Sequence, residues 1–86
     1  QNWPNPFNSE TIIRFSLPDE QRVDLSVFNA TGQRVAVLAA GRAGMGEHTL
    51  CWDGRDAQGR PLATGVYIMR LQTAQRTLTG KMLLLR

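Results

Sequence analysis

Cysteine is nearly absent. Cys51 stands alone, so no internal disulfide forms. Its neighbour Trp52 and its place in an apparent strand argue for an inert structural thiol, since no CxxC pair or adjacent base activates it. Histidine is equally scarce. His48 has no Cys, His or carboxylate at ligand spacing, so neither a metal site nor a catalytic base is expected there. No apolar run approaches the roughly 20 residues that span a bilayer, and no basic start with an apolar stretch marks a signal peptide within these residues. Charge of one sign is also missing. Ten Lys and Arg against seven Asp and Glu give a formal charge of +3, and the arginines are scattered. A nucleic-acid face would need a basic stripe with interleaved aromatics, and none is visible.

The 86 residues suffice for one domain with a small core. The first residue is Gln rather than Met, which suggests an excised piece or a processed product. Residues 1–9 carry Pro4, Pro6 and three Asn, and they form an extended or turning lead-in whose Trp3 and Phe7 are expected to dock on the domain.

Alternation then takes over. Ile13, Phe15 and Leu17 share one face of a first strand, and Val23, Leu25 and Val27 one face of a second. Asp24 and Ser26 point outward in that second strand, and Phe28 is expected to cap an edge of the core. Arg34 to Ala40 forms a third strand with Val35, Val37 and Ala39 on one face, although its alanines also suit a helical turn. Gly41, Gly44 and Gly46 mark a loop. No helix pattern follows them, which rules against a phosphate-binding turn. Glu47 to Trp52 is a fourth strand, Gly65 to Thr73 a fifth, and Arg76 to Arg86 a sixth. The end of this last strand is apolar on both faces, which suits the middle of a sheet or a place under a neighbouring layer. Short strands with regular turn signals and no convincing helix predict an all-β fold. The expected architecture is an antiparallel immunoglobulin-like β-sandwich of six strands, or seven if the lead-in contributes one.

The longest connection runs from Trp52 to Tyr67. Asp53-Gly54 and Gln58-Gly59 are turn pairs, and Pro61 withholds a backbone donor. This stretch is too long for a hairpin and is expected to cross between layers, with an aromatic anchor at each end. Asp53 and Asp56 lack the ligand spacing of a calcium loop and suit turn capping, although their spacing alone does not decide whether they bind a cation. No nucleophile-base-acid set or paired catalytic carboxylates stand out. The residues therefore point to a non-enzymatic binding or structural module without a cofactor.

Several short motifs, in order, add a resemblance. Asn2-Trp3-Pro4-Asn5-Pro6-Phe7-Asn8 resembles the Tyr-Pro-Asn-Pro-Phe opening of type A C-terminal sorting domains of the type IX secretion system, with Trp3 in place of Tyr. Thr11 to Pro18 resembles that family's first strand, and Val27 to Val35 its second hairpin. Trp52-Asp53-Gly54 and Gly65-Val66-Tyr67 are similar to its central motifs, and Lys81-Met82-Leu83-Leu84-Leu85-Arg86 to its terminal signature. The resemblance implies a folded export signal that follows a cargo domain. An outer-membrane translocon would recognise it and deliver the cargo through the periplasm to the cell surface or medium. In many members of that family a sortase-like cysteine protease removes the domain and joins the cargo to an anionic lipopolysaccharide. On this view Lys81 to Arg86 are the recognition candidates, with plain core packing of Met82 to Leu85 as the other reading. Pro4, Asn5, Pro6 and Phe7 mark the domain entrance. Trp52, Asp53, Gly54, Gly65 and Tyr67 serve the fold.

The same pattern also resembles the Ig-like domain of the flagellar hook-capping protein, a structural assembly module. Arg86 as the natural last residue would favour sorting. A third reading is a carbohydrate-binding accessory module of a secreted hydrolase, with Trp3, Trp52 and Tyr67 stacked on sugar rings. Burial of Trp52 and Tyr67 would remove it.

Overall fold

The computed structural model describes residues 10–86. Strands β1 (Thr11–Leu17), β2 (Gln21–Asn29), β3 (Arg34–Ala43), β4 (Gly46–Trp52), β5 (Gly65–Thr73) and β6 (Thr77–Leu84) follow one another without a helix. Among the described residues they form two antiparallel sheets, one of order β1-β4 and one of order β3-β2-β5-β6. The protein is an all-β immunoglobulin-like sandwich. The expected docking of Trp3 and Phe7 lies outside the described residues.

Alternation places the core between the sheets. Ile13, Phe15 and Leu17 of β1 face Val23, Leu25 and Val27 of β2, Tyr67, Met69 and Leu71 of β5, and Met82 and Leu84 of β6. Each such side chain contributes about 1.5–3 kcal/mol when buried. Register keeps the large residues level across the four-stranded sheet, with Leu25 opposite Leu71, Val27 opposite Met69 and Tyr67 opposite Met82.

Two hairpins stay within that sheet. The β2–β3 turn uses Gly32 at φ 89°. The Asn29 side-chain oxygen accepts from the backbone N–H groups of Thr31 and Gln33, at 3.1 and 2.9 Å. In the β5–β6 turn the Thr73 hydroxyl accepts from the N–H groups of Gln75 and Arg76. The other three connections pass between sheets: 18–20, 44–45 and 53–64.

Three local expectations need correction. The third strand runs on through Gly41 to Ala43, so the glycine-rich loop is shorter than its composition suggests. β3 also breaks its alternation at two bulges, where the register shifts opposite Leu25/Ser26 and Val27/Phe28. Each bulge adds one residue and flips the phase. Ala36 is therefore buried, while Val37, expected inside, is 47 % exposed. Phe28 does not cap the core edge. It lies on the outer face of the four-stranded sheet, beneath the Arg70 guanidinium. Among the described residues β6 pairs with β5, and its Met82 and Leu84 lie beneath the neighbouring layer, one of the two places expected for it.

Candidate functional site

The terminal signature and the central Trp-Asp-Gly motif meet at one place. Trp52 ends β4 in the core at 1 % exposure, and its indole N–H donates to the Arg55 carbonyl at 3.1 Å. Tyr67, at 6 % exposure, meets Trp52 edge to face with ring centroids 5.7 Å apart. The Tyr67 hydroxyl donates to the Ala63 carbonyl at 2.7 Å. The two aromatics therefore contact each other and each holds one end of the 53–64 loop. Such buried rings satisfy their polar tips locally. They present no face to a sugar, so the carbohydrate-stacking reading fails on both.

The loop is braced from within. Asp53 accepts from the Arg55 N–H at 3.1 Å. Asp56 Oδ1 accepts from the N–H groups of Gln58 and Arg60, both at 2.9 Å, and Oδ2 from Arg60 Nε at 3.0 Å. These donors hold the Asp56 carboxyl below the usual carboxylate range, the Arg60 backbone N–H foremost. Both carboxylates are thus committed to turn capping. Among the described residues no group of three His, Cys, Asp or Glu side chains could hold a metal ion.

Arg86 reaches this loop from the far end of the chain. Its Nε donates to the Leu62 carbonyl at 2.9 Å and its Nη2 to the Gly54 carbonyl at 2.5 Å. Its backbone N–H donates to the Thr64 hydroxyl at 2.9 Å. Gly54 makes this approach possible. Its φ is +71°, and a Cβ there would stand 2.8 Å from Arg86 Nη2. Gly65 has no such requirement, because a Cβ would meet only ordinary contacts at 4.0 Å.

The remaining candidates divide by face. Met82 and Leu84 are fully buried, Leu83 is half-buried, and Lys81 and Leu85 are exposed. Pro4, Asn5, Pro6 and Phe7 lie outside the described residues. The His48 Nε2 is 2.7 Å from the Gly44 carbonyl, and its ring stacks on Phe15 with centroids 5.1 Å apart. Cys51, expected as an inert structural thiol, is exposed on the outer face of β4. Desolvation, and then the charge of Glu10, push its thiol pKa up, which disfavours the reactive thiolate.

Two features escaped the sequence. One is the pairing of Arg86 with Gly54, Leu62 and Thr64. The other is the grouping of Arg34 and Arg70 around Phe28. The only hint of the second was Phe28 falling on the polar side of β2.

The family model of the FlgD Ig-like domain matches residues 5–76. The chain belongs to that family. No curated protein matches it. Among solved structures, FlgD from P. aeruginosa superposes with a TM-score of 0.66 at 22% identity, covering 86% of this chain and 64% of that one. FlgD from Xanthomonas campestris, whose structure gives insights into the hook capping essential for flagellar assembly, gives 0.65 at 22% identity, covering 87% and 55%. The chain thus spans less than two thirds of either FlgD. PorZ, an essential bacterial surface component of the type IX secretion system of Porphyromonas gingivalis, gives 0.63 at 19% identity, covering 96% of this chain and 11% of PorZ. At these identities the likeness is one of fold. Residues 77–86, with β6 and Arg86, lie beyond the family match.

Proposed function

We propose that residues 1–86 form one non-catalytic export signal, recognised as a folded domain by the type IX outer-membrane translocon. It carries an upstream cargo through the periplasm to the cell surface or medium. The observation behind this reading is the contact between the terminal Lys-apolar-Arg signature and the Trp-Asp-Gly motif. Arg86 donates to the Gly54 carbonyl, so two sequence marks of the sorting domains occupy one structural unit. The fold likeness to a stretch of a type IX secretion component is consistent with it. Within the signature, Met82 and Leu84 are committed to the core. Recognition then falls to Lys81, Leu83, Leu85 and the exposed part of Arg86. Pro4 to Phe7 would mark the domain entrance, with cleavage by a sortase-like cysteine protease upstream of it.

A second reading has its own support. The family match favours an Ig-like assembly module in a hook-capping type of protein. A secretion assay separates the two. A reporter with an inner-membrane signal is fused to residues 1–86 and expressed in a host with a working type IX system, and in the same host lacking the translocon. The sorting reading expects surface delivery in the first host and periplasmic retention in the second. A folded, protease-resistant fusion held in the periplasm of both would overturn it and leave the assembly module.

A further inference from the structure

The outer face of the four-stranded sheet carries features that neither the core nor the 53–64 loop uses. Phe28 of β2 is half-buried there, opposite Ile68 of β5, which in turn lies opposite Lys81 of β6. The Arg70 guanidinium carbon lies 4.5 Å from the Phe28 ring centroid and that of Arg34 5.7 Å. Two cations thus share one small ring. Among the described residues neither has a carboxylate within ion-pairing distance; the ion pairs present join Arg42 to Glu20, Arg55 to Asp53 and Arg60 to Asp56. Asp24, the acidic residue on this face, instead accepts a hydrogen bond from the Ser26 hydroxyl. Arg70 Nε is buried and has no hydrogen-bond partner among the described residues. A buried guanidinium donor without an acceptor is an uncommon arrangement. Beside these groups lies an open groove of about 340 Å³, whose walls include Phe28, Ile68, Arg70 and Thr79. Val66, 38 % exposed, continues the apolar surface along β5.

We propose that this face, centred on Phe28 and Ile68 and ringed by Arg34, Arg70 and Lys81, docks an acidic, apolar segment of a partner protein. A carboxylate placed between Arg34 and Arg70 relieves their mutual repulsion and meets a planar, charged donor. An apolar side chain next to it fills the groove along Ile68 and Val66. The charges also speed encounter with an acidic partner. A membrane surface fits less well, because the apolar residues lie flat within a sheet and do not project as a wedge. Single-stranded nucleic acid fits less well too, because the one aromatic ring already has guanidinium groups against it. This surface is argued independently of the export reading and holds equally for an assembly module.

The test uses the intact 86-residue chain, isotope-labelled for amide NMR, and a synthetic peptide of alternating Glu and Leu. Controls are the same peptide with Lys for Glu, and vesicles of anionic phospholipid. The expected result is amide shifts confined to Phe28, Ile68, Arg70 and Lys81 with the Glu peptide only. Binding should weaken at least about tenfold between about 0.05 and about 0.5 M salt. A comparable loss is expected in R34Q/R70Q and none in R55Q. If R34Q/R70Q does not fold, K81Q and the wild-type shift map decide. Equal binding of the Lys peptide, shifts on another face, or binding to vesicles without binding to the Glu peptide would each overturn the proposal.

Discussion

At the scale of single residues, Gly54 has two reasons to be glycine and Gly59 only one. Both hold positive φ, at +71° and +82°, but a Cβ at Gly59 meets nothing within 4 Å. An alanine in that backbone region costs about 1–2 kcal/mol at either position. At Gly54 the new methyl group also displaces the end of Arg86, which loses its hydrogen bond to the Gly54 carbonyl, about 1 kcal/mol more. G54A is therefore expected to lower stability more than G59A, by roughly that extra 1 kcal/mol. In an R86A background the two substitutions should cost the same. Urea unfolding of the four variants checks this, and equal losses in the wild-type background would show that Arg86 does not hold the loop. In a domain of this size, stable by only about 5–10 kcal/mol, the difference is measurable.

At the scale of elements, the 53–64 loop is a network of caps, and its acid sensitivity follows from Asp56. The Arg60 and Gln58 N–H groups and the Arg60 guanidinium favour the charged carboxylate, so its folded pKa lies below the unfolded value of about 3.9. A depressed folded pKa adds stability at pH above the unfolded value and forfeits it as pH falls through the folded one. D56N keeps an acceptor oxygen but loses the charge. Its deficit in melting temperature should be constant above about pH 5 and shrink below about pH 4. A deficit unchanged down to pH 2 would contradict this. The same loop shows how far the sequence speaks. Asp-Gly and Gln-Gly pairs and the aromatic ends announce a layer crossing, because turn chemistry and large buried rings are local signals. The inward sets of β1, β2 and β5 were legible because residues two apart share a face, although Ser26, expected outward on β2, is fully covered. β3 was not, because two bulges reset its phase and a bulge has no residue signature here. The Arg86 contact was invisible too. Its acceptors are main-chain carbonyls of Gly54 and Leu62, and any residue carries such a group. Phe28 stays off the core edge because two guanidinium groups give its ring a partner at the surface, and neither is adjacent to it in sequence.

At the scale of the whole molecule, folding and recognition are entangled in residues 77–86. Their removal strips β6 from β5, takes Met82 and Leu84 out of the core, and releases Arg86 from the loop. Loss of two buried side chains of this size alone costs about 2–5 kcal/mol each, comparable to the stability of the domain. The truncated chain is therefore expected to show no cooperative urea transition by circular dichroism, and a secretion defect in such a fusion would report unfolding. Exposed positions separate the two effects. Lys81 and Leu85 are exposed, and surface substitutions of this kind stay within about 0.5 kcal/mol. K81E/L85S should unfold at the same urea concentration as the wild type. If the terminal signature is read by a translocon, the same variant should hold a reporter in the periplasm while remaining folded and protease-resistant. The core substitution M82A, by contrast, should reduce delivery only in proportion to its loss of stability. Normal delivery of K81E/L85S would move recognition away from the exposed signature, and the outer-face surface around Phe28 would then be the next to substitute.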